Sequence, residues 1–393
     1  MPANPKDAID PKEQGAVLVL DEIVRRAVLR GASDIHLEPK HDRLVVRLRV
    51  DGYMQNEQSV GTDLGPLVVS RVKVLARMDI AERRVPQDGQ LTLEPDGKRV
   101  HLRASTFPCS QGEKVVLRIL MGQKLIPFEH LGMDETTQQR IREVVARPQG
   151  FLVTSGPTGA GKTSTLYAFL QLLDTARMNV MTLEDPIEVE IPPITQGQTH
   201  LRAGFTFAVG LRALLRQDPD VILVGEMRDG ETAGIALQAA LTGHLVMSTL
   251  HTSDTVETMV RLVDLGLEPW IIANALSCVL AQRLVRVVCD GCHDVARLDV
   301  DLWDGDEVLL PRGSEILRPR GCAKCFKTGY RGRSGVFEVL VIDDEFRDLI
   351  KSKAPARDYR LALARRKMPS LRRVGFERVR AGITTVDEVL RVT

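Results

Sequence analysis

Residues 156–163, Gly-Pro-Thr-Gly-Ala-Gly-Lys-Thr, place three glycines ahead of a Lys-Thr pair in the pattern G-x-x-x-x-G-K-T. Glycines let successive backbone N–H groups curl around anionic phosphates, Lys162 reaches the outer pair, and the Thr163 hydroxyl is placed to ligate magnesium. The expected nucleotide contacts are therefore Gly156, Pro157, Thr158, Gly159, Ala160, Gly161, Lys162, Thr163 and Ser164. Three later stretches carry reactive side chains. Leu183-Glu-Asp-Pro-Ile-Glu188 follows an apolar run, so Glu184 and Asp185 stand at a strand end, suited to hold or polarise an attacking water. Asp218-Pro-Asp-Val-Ile-Leu-Val-Gly-Glu-Met-Arg-Asp229 reads as a hydrophobic strand closed by Glu226, a candidate base or partner of magnesium's water shell. Thr242-Gly-His-Leu-Val-Met-Ser-Thr-Leu-His-Thr252 offers His244 and His251. A lone histidine is more often structural than catalytic, but a neutral one at a strand end beside a nucleotide can hydrogen-bond the γ-phosphate.

Four of the six cysteines form two pairs, Cys289-x-x-Cys292 and Cys322-x-x-Cys325, separated by 29 residues. Four thiolates so spaced suit a closed, tetrahedral zinc site that staples an irregular loop, with reduced structural thiols or a redox pair as the other readings. Cys109 and Cys278 are expected to be inert.

The elements that must position these groups follow from periodicity. Apolar strands at 151–154, 180–183, 221–224 and 245–249 alternate with helices at 162–173, 207–217 and 230–242, which implies a parallel sheet covered on both faces. Helical spacing continues at 254–265 and 269–285; residues 289–335 have little periodicity, and 343–393 return to helix. Ahead of the phosphate loop, a helix at 17–30, strands at 35–38 and 44–50, a helix at 65–79, a turn at 87–89 and strands at 90–94, 99–105 and 114–120 make a small α+β domain. A connector with one helix at 135–146 joins the two parts, and residues 1–14 are expected to be mobile.

At 393 residues the chain has room for two or three domains and a full core without staples in its largest part. With 53 basic and 52 acidic residues there is no global electrostatic case for nucleic acid or a membrane surface. The basic stretches Arg365-Arg-Lys367 and Arg372-Arg373 lack an aromatic platform and read as a solvated helical face. No apolar run reaches about 18 residues and the N-terminus lacks an apolar signal region, so a cytoplasmic protein is expected.

In order along the chain, Ala32-Ser-Asp-Ile-His-Leu-Glu-Pro39, Arg49-Val-Asp-Gly52 and Met78-Asp-Ile-Ala-Glu-Arg-Arg-Val-Pro-Gln-Asp-Gly89 precede the phosphate loop. The acidic box, the 218–229 strand, the histidine box and Gly321-Cys-Ala-Lys-Cys-Phe-Lys-Thr-Gly-Tyr-Arg-Gly-Arg333 follow it. Together these resemble the secretion ATPase superfamily, specifically the GspE/PulE/PilB-type motors of type II secretion and type IV pilus assembly. The resemblance runs from about Gly31 onward. It implies an α/β fold with a PAS-like domain over 15–122, a connector over 123–149 and a RecA-like P-loop ATPase core over 150–288. A tetracysteine metal-binding subdomain over 289–335 and a helical C-terminal subdomain over 336–393 complete it.

The resemblance also implies a homo-hexamer that binds ATP and Mg2+ between two domains, with arginines of the first domain reaching the phosphates; Arg103 and Arg118 are the candidates, with Arg83 and Arg84 behind them. Zinc would sit on Cys289, Cys292, Cys322 and Cys325. The expected activity is ATP hydrolysis powering pilus or pseudopilus assembly, with Glu226 as leading base and Glu184 as the alternative. The implied partner is an inner-membrane platform protein, which would hold the chain peripherally at that membrane. Only about thirty residues precede Ala32, so the long N-terminal docking domain of many members is expected to be absent, which puts that partner in doubt. The tetracysteine insert favours the assembly or secretion branch over retraction motors. A DNA-uptake or DNA-transport motor of the same superfamily, and a nucleotide-binding zinc-stapled scaffold without turnover, are the competing readings.

Overall fold

The structure is a computed structural model that describes residues 11–120, 125–305 and 307–393. The expectation of mobility over 1–14 falls mainly on residues 1–10, outside the described residues; residues 11–14 begin the first helix. The chain divides into two compact units, Met1–Gln123 and Lys124–Thr393. Among the described residues no helix is long and apolar enough to cross a membrane.

The first unit runs α1 (Pro11–Leu29), β1 (Ala32–Pro39), β2 (Arg43–Val50), β3 (Tyr53–Gly61), α2 (Gly65–Leu75), β4 (Gln87–Leu93), β5 (Val100–Cys109) and β6 (Gly112–Ile119). Its sheet is antiparallel throughout, ordered β3-β2-β1-β6-β5-β4. Period-two patterning decides the faces: Leu44, Val46, Leu48 and Val50 of β2 are buried in one cluster with Ile23, Val24 and Ala27 of α1 and Val68 and Val72 of α2. Two expectations change. The stretch Gln87–Gly89 is the first part of β4, not a turn; a Cβ at Gly89 would lie 2.3 Å from the Ala76 carbonyl oxygen, so glycine lets the strand pass the end of α2. Residue patterning does not mark β3, because its mostly polar residues, Tyr-Met-Gln-Asn-Glu-Gln-Ser-Val-Gly, form a strand held by main-chain pairing to β2.

The second unit continues with α3 (Glu135–Val145), β7 (Gly150–Ser155), α4 (Lys162–Leu170), β8 (Val180–Glu184), β9 (Thr195–Gln198), α5 (Phe207–Leu214), β10 (Val221–Val224), α6 (Gly230–Leu241), β11 (Leu245–Leu250), α7 (Thr255–Asp264), α8 (Pro269–Ala275) and β12 (Leu276–Val288). Then come β13 (His293–Arg297), β14 (Leu302–Asp304), β15 (Glu307–Leu310), β16 (Glu315–Pro319), β17 (Tyr330–Val341), α9 (Asp344–Lys351), α10 (Ala356–Arg365), α11 (Leu371–Arg380) and α12 (Val386–Val392). The main sheet is ordered β17-β12-β7-β11-β10-β8-β9, parallel except for the antiparallel edge strand β17. Ile222 and Val224 of β10 face one core and Val221 and Leu223 the other, which is why the strand reads as an unbroken apolar run. Each such side chain contributes roughly 1.5–3 kcal/mol by burial.

One element is corrected outright. Residues 269–285 are not a single helix: α8 ends at Ala275 and β12 begins at Leu276. A strand buried on both faces has no period of its own, so its apolar run mimics a helix in sequence. The cysteine-bearing stretch holds two small antiparallel pairs, β13 with β16 and β14 with β15. It is the excursion between β12 and β17, which pair with each other from Cys278↔Val341 to Val288↔Tyr330.

Candidate active site

The parallel strands β7, β8, β10 and β11 all end on one edge of the sheet, where such folds bind ligands. The loop after β7 turns through left-handed glycines, Gly159 at φ 81° and Gly161 at φ 86°, before α4 opens at Lys162. Gly156 leaves β7 against the neighbouring strand: a Cβ there would lie 2.6 Å from the Gln282 carbonyl oxygen. Lys162 Nζ folds over the loop and donates to the carbonyl oxygens of Gly156 at 2.7 Å and Pro157 at 3.1 Å. Burial pushes Lys162 down to about 8, against the pull of Glu226.

His251, just past β11, joins two of the other groups. Its Nδ1 lies 3.5 Å from Lys162 Nζ and its Nε2 3.6 Å from Glu226 Oε2. An ammonium only donates, so Nδ1 is the acceptor and Nε2 carries the proton that faces the carboxylate. Burial and then the Lys162 charge hold the imidazole below its ordinary range, so it is neutral at neutral pH. Glu226 also pairs with Arg228 at 2.5 Å. Its position is set by the two strand ends: Thr249 Oγ1 donates to the Gly225 carbonyl at 2.8 Å and the Met227 N–H to the Thr249 carbonyl at 3.1 Å. His244, at the other end of β11, closes the α6–β11 turn through Nδ1 at 3.0 Å from the Ala239 carbonyl and belongs to the scaffold.

The acidic box divides its labour. Glu184 is buried at the end of β8, where Tyr167, Thr182 (2.5 Å) and Gln196 (3.1 Å) all donate to its carboxylate. Burial and this carboxylate keep the Tyr167 phenol protonated far above its usual range. Asp185 is exposed, in a cis peptide bond with Pro186. Glu188 is the carboxylate that approaches the magnesium-ligand candidate, with Thr163 Oγ1 donating to its Oε1 at 3.5 Å. Sequence reading passed over Glu188 as a single residue, along with Tyr167, Gln282 and Arg283. The signal for the last two was available: a Gln-Arg pair interrupts an otherwise apolar run. Gln282 Nε2 donates to the Ala160 carbonyl at 2.6 Å. The hydroxyls of Thr154 and Ser155 and the Oε1 of Gln282 are buried without a hydrogen-bond partner among the described residues, as expected of a polar cradle shaped for a ligand.

Arg103 and Arg118 are cross-strand neighbours on β5 and β6 in the first unit. Arg118 is 67% exposed and its Nε donates to Asp34 Oδ1 at 3.0 Å. Arg84 pairs with Glu82 at 2.7 Å on the segment between α2 and β4 that also carries Arg83.

The four paired cysteines converge at the open end of the β12–β17 ribbon, with all four sulfurs within 4.8 Å of one another. Cys289 and Cys322 are 4.0 Å apart and Cys292 and Cys325 3.6 Å. Zn–S bonds of about 2.3 Å at tetrahedral angles require sulfurs about 3.8 Å apart, so the set fits zinc. Backbone N–H groups of Cys322 and Gly329 donate to the Cys325 sulfur at 3.1 and 3.2 Å, an environment that favours thiolate.

A sequence family described as type II/IV secretion system protein matches residues 11–391. The chain is 46% identical over 394 residues to the type II secretion system protein E of Pseudomonas aeruginosa, covering 99% of this chain and 78% of that protein. It is 44% identical over 400 residues to the type II secretion system ATPase E of Vibrio cholerae, covering 100% and 78%. It is also 41% identical over 389 residues to the type IV pilus assembly ATPase TfpB of Acinetobacter baylyi, covering 98% and 66%. Among solved structures, the pilus retraction motor PilT with bound ADP is similar at 25% identity and a TM-score of 0.63, over 95% of this chain and 96% of that one. The Legionella pneumophila ATPase DotB, at 23% identity, shares the fold with a TM-score of 0.70 over 100% and 98%.

Proposed function

The chain belongs to the type II/IV secretion system ATPases, and from that premise we propose how its residues turn ATP hydrolysis into assembly of a pseudopilus or pilus. The observation that carries the reading is the convergence of Lys162, His251 and Glu226 at the phosphate loop, on the ligand-binding edge of a parallel sheet. Glu226 takes the proton of the attacking water or orders the magnesium shell; its Arg228 contact holds the carboxylate in place, with His251 facing it. Lys162 and the loop N–H groups neutralise charge on the phosphates. Neutral His251, already between Lys162 and Glu226, is placed to respond to the γ-phosphate. Glu184 acts through position: its buried network ties β8 to α4 and so fixes the helix that begins at the loop. Thr163, with Glu188 beside it, would hold magnesium, which would offset phosphate charge.

The finer parts of the reading come from the family. The first unit is PAS-like and supplies Arg103 and Arg118 to the phosphates, the second is RecA-like, and six subunits form the working ring. The ring works in the cytoplasm against an inner-membrane platform protein. The cysteine set holds one zinc that closes the 289–329 excursion; elemental analysis of purified protein returning one zinc per chain is the expected result, and none per chain removes this part. Lys162→Ala abolishes hydrolysis in a coupled phosphate-release assay, and retained turnover in that variant overturns the assignment of the site.

A further inference from the structure

Gln282 and Arg283 sit in the middle of β12, and neither is accounted for by packing. Gln282 bonds the phosphate loop through Nε2 to the Ala160 carbonyl at 2.6 Å, and its own carbonyl oxygen is close enough that a Cβ at Gly156 would lie 2.6 Å from it. Arg283 spreads its guanidinium over three carbonyl oxygens on three elements. Nη1 donates to Gln282 O at 2.9 Å, Nη2 to Ser253 O at 2.7 Å, and Nε to Val392 O at 2.9 Å. Ser253 lies two residues beyond His251, and Gly156 is an acceptor of Lys162. The Gln282-Arg283 pair therefore holds, from behind, both halves of the Lys162–His251 contact.

The choice of arginine is informative. Neutral carbonyls do not need a cation, but three of them in different directions need the fixed fork of a guanidinium, which an ammonium cannot reproduce. The third carbonyl belongs to α12, which is also anchored on the same strand: Glu388 accepts from the Arg286 N–H at 3.0 Å and from Arg286 Nη2 at 2.7 Å. α12 is thus tied to β12 at both Arg283 and Arg286.

We propose that Arg283 is a positioning residue for hydrolysis, which sets the histidine loop against the phosphate loop and uses α12 as its third anchor. The proposal rests on the ATPase reading above and deepens it: α12 becomes an element through which displacement of the C-terminal helices alters turnover without touching nucleotide.

The test compares the 393-residue chain with its Arg283→Lys, Arg283→Met, Glu388→Gln and Arg283→Met/Glu388→Gln variants, recording kcat, KM, binding of a fluorescent ATP analogue, melting temperature and hydrogen exchange. Arg283→Lys and Arg283→Met are both expected to lower kcat about 10- to 100-fold, the loss that follows small misplacement of catalytic groups. ATP-analogue affinity should stay within about threefold of wild type, because the loop N–H groups and Lys162 remain. Exchange should rise over 251–258 specifically. Glu388→Gln should lower kcat about two- to fivefold alone and add nothing to Arg283→Met, the mark of a shared path. Full turnover in Arg283→Lys, or affinity falling in step with kcat, overturns the positioning role; additive losses in the double variant overturn the part given to α12. If Arg283→Met does not fold, Arg283→Lys and Glu388→Gln carry the same comparison. Absence of Lys162-dependent turnover in wild type strikes the ATPase reading instead, so the two failures are distinguishable.

Discussion

The ends of β8 and β10 are neighbours in the sheet and each presents a glutamate, yet the two carboxylates live in different chemistry. Glu184 is 2% exposed and receives hydrogen bonds from two hydroxyls and an amide. Glu226 stands partly open, faced by a guanidinium and by an imidazole 3.6 Å away, longer than a hydrogen bond. A buried carboxylate that already accepts from three donors is held in place and is shut away from water. A partly exposed carboxylate held by one guanidinium, with a neutral imidazole beyond hydrogen-bond reach, keeps acceptor sites for water. Local sequence makes the two look equivalent, since both follow an apolar run; satisfaction of their oxygens separates them.

The comparison breaks most directly at Glu226. Glu226→Gln keeps the shape and removes the base, and kcat should fall about 10²- to 10⁴-fold with little change in melting temperature. Near-normal turnover would move the chemistry elsewhere. Glu184→Gln tests the other side. The amide cannot accept from Tyr167, Thr182 and Gln196 together, so the variant should lose about 1–3 kcal/mol of stability by denaturant titration, with a smaller drop in kcat than Glu226→Gln. A stable Glu184→Gln protein with no turnover would reverse the two roles. The smallest effect concerns Lys162, on the Glu226 side of the site. Its ammonium must be charged to hold phosphates, and burial has lowered it to about 8. Below that pH the charge is present and ATP affinity is full; as pH rises through about 8, binding must draw in a proton and affinity falls by at most about tenfold per pH unit. Calorimetry in buffers of different ionisation enthalpy should show proton uptake on ATP binding near pH 8 to 9, and its absence would remove Lys162 as the titrating contact.

Legibility followed the physical source of each signal. The phosphate loop, the strands β7, β8, β10 and β11 and their connecting helices were readable because glycine geometry and burial on both faces leave marks within a few residues. β3 and β12 were not: one is a polar strand held by main-chain pairing, the other an apolar strand that imitates a helix. The paired cysteines announced themselves by spacing, but the antiparallel pairings of β12 with β17 and of β13 with β16 explain why residues 289 and 322 meet.

What the sequence alone determined is the chemistry on offer: a phosphate loop, acidic strand ends, histidines and a sulfur set, all encoded by residue type at short spacing. What only the tertiary structure decided is which of these groups are free to act. It set Glu184 into a closed network and left Glu226 partly open, placed His251 between Lys162 and Glu226 and His244 at the α6–β11 turn, and brought Gln282, 122 residues beyond Ala160, to the back of the loop with Arg283 beside it. The reason is that hydrogen-bond satisfaction and burial belong to contacts between distant segments, and those exist only once the sheet has assembled.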